Sequence, residues 1–135
     1  QKGFGLLKQA AEKLFKEDIQ LVILGEGDKE IEEWLLATAK KYPQKMGVKI
    51  GFDENLSHLM EAGSDMYLMP SLFEPCGLNQ MYSFAYGSVP IVRATGGLQD
   101  TVHEFDPASG KGNGFVFEEY KAADMLEAVQ RALEI

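Results

Sequence analysis

The chain has 135 residues, 45% of them hydrophobic and 25% charged, the size and composition of one ordinary domain with a core of its own. A formal net charge of −8 argues against nucleic acid as a partner, since that needs a basic face, but a few local donors can still hold a small anion. No apolar run approaches a membrane span, and the lone cysteine, Cys76, leaves no internal disulfide, so a reducing cytoplasm is the expected location.

No charged-then-apolar leader opens the chain, and the first residue is Gln1 rather than Met, which suggests a piece of a longer protein. Phe4, Leu7, Ala11, Leu14 and Phe15 fall at helical spacing and predict an amphipathic helix over residues 3–16. Ile19 to Leu24 is almost wholly apolar and reads as a strand buried on both faces. Gly25-Glu26-Gly27 turns the chain, Asp28 is placed to cap the next helix, and Ile31, Trp34, Leu35, Thr38 and Tyr42 mark that helix's inner face before Pro43 stops it. Met46 to Ile50 is a second strand. Asp53 is placed to cap a short helix that carries Leu56, Leu59 and Met60 and ends at Gly63. Asp65 to Met69 is a third strand, and Pro70 to Pro75 a loop.

A helix follows from Gly77 to Tyr86, with Leu78, Met81, Tyr82 and Ala85 inward and Gly87 as its stop. Val89 to Val92 is a fourth strand. Thr95 to Gly97 turns into a short helix through Leu98 and Val102. Asp106 to Gly114 reads as a flexible loop, and Phe115 to Phe117 as a fifth strand. The last helix shows Ala122, Met125, Leu126, Val129 and Leu133 on one face. This alternation predicts one α/β domain over residues 1–135, a Rossmann-like parallel sheet with helices on both faces. In such sheets ligands gather beyond the carboxyl ends of the strands, which singles out residues 25–28, 51–55, 70–77 and 93–98.

Four stretches carry chemistry. Arg93-Ala94-Thr95-Gly96-Gly97-Leu98 runs from a strand into a helix, and its glycines allow backbone N–H groups to approach a phosphate. A plain tight turn is the commoner origin of such a run. Gly25-Glu26-Gly27-Asp28 lacks the third glycine of a dinucleotide fingerprint and reads as a turn and cap. Glu74, between Phe73 and Pro75, is a carboxylate on a stiffened loop that can accept from sugar hydroxyls; an exposed loop glutamate is the alternative. Phe52 can stack on a base or pack into the core. His58 and His103 lack metal-ligand neighbours, and no Asp-x-Asp pair occurs, so no metal or other cofactor is expected. A diphosphate would then rely on Lys2, Arg93 and the Gly96-Gly97 turn, although a solvated surface lysine is the simpler account of Lys2 alone.

FEPCGLNQMYSFAYGSVPIVRATGGLQDT, with QKG, LGEGD, GFDENLSH and GFVFEE in order around it, resembles the glycogen and starch synthase family of retaining glycosyltransferases along essentially the whole chain. The resemblance implies the C-terminal, nucleotide-binding domain of a two-domain GT-B fold. It implies that an acceptor-side N-terminal domain, a strand before QKG and an arginine that helps hold the diphosphate lie outside this chain. It also implies residue roles. Lys2 neutralises the diphosphate, and Glu74 holds the donor glucose hydroxyls and is needed for transfer. Cys76, Gly77 and Leu78 border the sugar, and Thr95, Gly96 and Gly97 form the phosphate turn. Phe52 lies where bacterial members often place a tyrosine near the base. Tyr82 stands where wider relatives carry a second glutamate, which favours the bacterial and plant synthases.

The implied reaction is transfer of glucose from ADP-glucose to the non-reducing end of an α-1,4-glucan with retention. Because one cleft wall alone cannot hold the acceptor, the isolated domain is expected to transfer nothing. Another GT-B sugar-nucleotide glycosyltransferase and a non-catalytic nucleotide- or glucan-binding module are the competing readings. Tyr82 and the Cys76 loop oppose the first of these. The residues upstream of Gln1 would separate the second.

Overall fold

The computed structural model describes residues 3–70, 85 and 87–134. Helix α1 spans Phe4–Leu14 and buries Leu6, Leu7, Ala10, Ala11 and Leu14, a stripe at the spacing the sequence predicts. Strand β1 (Leu21–Gly25) leads to α2 (Lys29–Lys41), β2 (Met46–Ile50), α3 (Glu54–Gly63) and β3 (Met66–Met69). Strand β4 (Val89–Arg93) is followed by the short helix α4 (Gly96–Thr101), β5 (Phe115–Phe117) and α5 (Ala122–Leu133). The helix expected over residues 77–86 lies outside the described residues except Ala85, which is exposed rather than inward.

Every strand pairing among the described residues is parallel. Among the described residues the strands form two sheets, β1-β2 and β3-β4-β5, where the sequence led us to expect one. Pairing partners in a parallel sheet are far apart in sequence, so hydrophobic pattern does not reveal them.

The three-stranded sheet alternates. Met66, Leu68, Ile91, Phe115 and Phe117 face one core together with α1 and α5. Met69, Val92, Leu98 and Val102 form a second core with Tyr67 and Val116 on the other side. Helices therefore cover both faces of this sheet. Each fully buried Leu or Met contributes about 1.5–3 kcal/mol over leaving it exposed.

Strand β1 departs from expectation. It begins two residues later than predicted, and Val22 is 55% exposed instead of buried. Among the described residues, one edge of β1 is paired, to β2.

The two predicted caps behave differently. The Asp53 carboxylate accepts from the Leu56 N–H at 3.0 Å, and that bond, helped by Lys49 at 3.2 Å, holds its pKa below the ordinary carboxylate value. Asp28 makes no side-chain cap; Glu32 reaches back instead and accepts from the Gly27 N–H at 3.1 Å. At the other end of α1, Lys45 Nζ donates to the carbonyls of Phe15 and Glu17 at 2.7 and 2.9 Å. A cation there satisfies helix-end carbonyls and ties α1 to the start of β2.

The loop expected to be flexible is knitted. Asn113 Nδ2 donates to the Thr101 carbonyl at 3.0 Å, and Asn113 Oδ1 accepts from the His103 N–H at 2.7 Å. Asp106 accepts from the Ser109 hydroxyl and then from the Ala108 N–H, which lowers its pKa.

Glu61 on α3 is 1% exposed, and neither carboxylate oxygen has a hydrogen-bond partner among the described residues. Burial raises its pKa above the ordinary value of 4.5. Between the unfolded and the folded pKa, the folded chain therefore holds a proton that the unfolded chain has released. Stability from this group is complete below the unfolded pKa and is lost as pH rises through the folded one. Replacing Glu61 by Met is expected to stabilise the protein at neutral pH by about 1–3 kcal/mol and to flatten that part of the profile. Urea melts from pH 4 to 8 on both proteins check this; a parallel offset with unchanged slope would contradict it.

Candidate functional site

The best-defined part of the candidate site is the end of β4. The Ala94 N–H donates to the Phe117 carbonyl at 2.9 Å, which extends the ladder one residue beyond β4. Thr95 is then extended at φ −149°, and Gly96 turns to φ 49° to open α4. That left-handed angle suits glycine and disfavours residues with a Cβ. Leu98, fully buried beside Met69, Val92 and Val102, anchors the turn from below. Thr101 Oγ1 donates to the Gly97 carbonyl at 2.8 Å and the Leu98 N–H to the Thr95 carbonyl at 3.0 Å.

Among the described residues the N–H groups of Gly96 and Gly97 make no hydrogen bond, and Gly96 is exposed. Two donors at a strand's carboxyl end, on a turn pinned by a buried leucine, have the chemistry to receive a small anion.

Arg93 precedes this turn. Its guanidinium carbon lies 5.6 Å from the centre of the Tyr120 ring, a cation–π contact that the sequence reading missed. The signal available was Tyr120 directly after GFVFEE, at the end of the neighbouring strand. An open hollow of about 490 Å³ adjoins the turn, with Ala94, Gln99, His103 and Glu118 in its lining. A second hollow is lined by Glu118, Glu119, Asp124 and Glu127 with the single cation Arg131, a surplus of negative charge that opposes phosphate there.

Phe52 resolves one open choice. It is 85% exposed and stands just past β2, so it is no core residue. It follows a strand of one sheet, while Gly96 and Gly97 follow a strand of the other. Lys2, Glu74, Cys76, Gly77, Leu78 and Tyr82 lie outside the described residues. No group of three His, Cys, Asp or Glu residues is placed to hold a metal among the described residues, and no described helix is long and apolar enough to cross a membrane.

A family model described as "Glycosyl transferases group 1" matches residues 1–135. The chain belongs to this family.

Among curated members, the chain is 52% identical over 135 residues to a glycogen synthase of Koribacter versatilis, and 55% identical over 134 residues to one of Anaeromyxobacter sp.. It covers 100% and 99% of its own length in these matches but 28% of either relative. It therefore spans just over a quarter of the group 1 glycosyl transferases it matches. Among solved structures it is similar to the catalytic domain of starch synthase IV from Arabidopsis thaliana bound to ADP and acarbose. The TM-score is 0.88 and the identity 35%, over 99% of this chain and 28% of that one. The Rossmann-like α/β class expected from the sequence is thus the class found, and the resemblance to glycogen and starch synthases holds.

Replacing Gly96 by Ala forces a Cβ into the left-handed region. The expected cost is about 1 kcal/mol, read as a lower midpoint in urea unfolding with unchanged slope. No change in midpoint would mean that the turn can adopt another backbone path.

Proposed function

We propose that this chain is the donor-binding half of a two-domain retaining glucosyltransferase of the glycogen or starch synthase type. It would take ADP-glucose as donor and serve an α-1,4-glucan held by an acceptor-side domain, in the cytoplasm. The observation that carries the reading is the Gly96-Gly97 turn, with its two unengaged N–H groups at the carboxyl end of β4. The named glycogen synthases at 52–55% identity and the ADP-bound starch synthase support the same reading.

In this proposal the diphosphate lies at Thr95, Gly96 and Gly97, and Lys2 contributes a positive charge. As the glycosidic bond breaks, negative charge grows on the departing diphosphate. Donors fixed before reaction stabilise that charge more in the transition state than in the ground state. The exposed Phe52 ring offers a stacking surface near the base, and its exposure is what such a role requires. Glu74 accepts from the glucose hydroxyls and orients the sugar, while Cys76, Gly77, Leu78 and Tyr82 shape the pocket around it. Backbone donors and cations neutralise the phosphates in this scheme, without a metal bridge.

Titration with ADP, followed by backbone amide shifts, tests the phosphate assignment. Gly96 and Gly97 should move progressively up to millimolar ADP. If other amides respond while these two stay still, the assignment is wrong.

The sugar end is tested in the full-length enzyme. Glu74→Gln keeps the side chain's size and loses its charge. A lost hydrogen bond to a charged group is worth about 1.5–3 kcal/mol, so kcat should fall roughly ten- to a hundredfold with little change in KM. Glu74→Ala should be worse. Near-normal turnover, or a loss matched by unfolding in thermal melts, would remove Glu74 from the site.

A further inference from the structure

Strand β5 pairs with β4 and, among the described residues, with no strand on its other side. The Ala94 N–H donates to the Phe117 carbonyl, so residues 115 and 117 serve β4, and the backbone N–H and C=O of Val116 point outward. An outward N–H beside an outward C=O is a template on which another extended chain can pair.

The chain covers this edge in two different ways. At Gly114 the cover is backbone. The Gly114 N–H donates to the His103 carbonyl at 3.1 Å, and the Phe105 N–H donates to the Gly114 carbonyl at 2.8 Å. These bonds make a parallel bridge between Glu104 and Gly114. Carried on by two residues, the same ladder would need the Phe105 carbonyl to accept from the Val116 N–H and the N–H of residue 107 to donate to the Val116 carbonyl. Residue 107 is proline, which has no N–H to give.

Side chains take over where that ladder stops. Glu104 Oε1 accepts from the Val116 N–H at 2.9 Å, and Arg131 Nη2, reaching over from α5, donates to the Val116 carbonyl at 2.9 Å. The two side chains also hold each other: Arg131 Nη2 donates to Glu104 Oε1 at 3.2 Å and Nε to Glu104 Oε2 at 3.4 Å. A half-exposed ion pair adds little by itself. This one is set apart by what it covers. It puts an acceptor on an N–H and a donor on a C=O, the polarity that a neighbouring strand would present.

We infer that Glu104 and Arg131 together stand in for a neighbouring strand and keep the β5 edge closed to strand addition by a second copy of this chain. Phe115-Val116-Phe117 is apolar and suits a strand, so an open edge here is a hazard. A two-fold axis through the edge would set Val116 opposite the same residue of the second copy, and each could satisfy the other's N–H and C=O. This inference concerns self-association and stands apart from the donor-site proposal.

The test is sedimentation of variants of this chain, with amide exchange at Val116 as the local readout. Glu104→Ala leaves the N–H open, and Arg131→Met keeps most of the stem and leaves the carbonyl open. Both should be monomeric when dilute and self-associate at about 100 μM, whereas the unaltered chain stays monomeric. In dilute Glu104→Ala the Val116 amide should exchange roughly tenfold faster or more, and protection should return as the chain is concentrated. Glu104→Gln retains an oxygen that accepts from Val116 and should stay monomeric. Val129→Ala, which weakens the core side of α5 without touching the edge, should also stay monomeric. Monomeric Glu104→Ala and Arg131→Met at that concentration overturn the inference. So does association without concentration-dependent protection at Val116, or association of Glu104→Gln or Val129→Ala to the same extent.

Discussion

Two-sided burial of β4 is the constraint on which the rest depends. Ile91 and Val92 are both almost fully buried, yet they belong to different cores. A strand apolar on both faces is stable only when each face is covered. One cover is the α1–α5 layer; the other includes α4, whose Leu98 packs against Val92. Covering the second face requires the chain to turn sharply at the end of β4 and fold back at once. The Gly96-Gly97 turn is that reversal. The same geometric necessity that completes the core leaves two N–H groups without a hydrogen bond among the described residues.

Much of this was legible in the sequence, for identifiable reasons. Helices α1 and α5 carry apolar stripes at the helical period, and their buried faces follow those stripes. The Asp53 cap was legible because the acid precedes a helical run by the correct offset. Asp28 has the same local pattern but makes no side-chain cap, and Glu32 reaches back to the Gly27 N–H. The division of the sheet was not legible, because pairing depends on which strands meet in space. Nor was Glu61: the apolar residues Leu56, Leu59 and Met60 suggest a face, while Leu59 is 69% exposed and Glu61, two residues on, is buried.

For the site, sequence supplied the order of the parts and structure supplied the relation among some of them. Phe52 looked equally suited to core or ligand, and its exposure decides against the core. Gly96-Gly97 had a bland alternative as a turn, and it is a turn; its unengaged donors on a buried anchor give that turn chemical capacity. Phe52 and the Gly96-Gly97 turn follow strands of different sheets, so their mutual placement depends on whatever joins those sheets. A nucleotide that touched both would sense the integrity of the fold between them.

The knitted loop at residues 103–114 has a consequence for chemical lifetime. Asn113 precedes Gly114, the dipeptide in which asparagine most readily cyclises and deamidates, because a glycine N–H meets little steric resistance as it attacks the side-chain carbonyl. Here the Gly114 N–H is held by the His103 carbonyl at 3.1 Å, and both ends of the Asn113 amide are bonded. Cyclisation must first break these bonds. Should it occur, the product carboxylate would set a negative oxygen against the Thr101 carbonyl where an N–H now donates. The network that orders this loop therefore also slows its ageing, and any loosening of the loop would start a clock at Asn113.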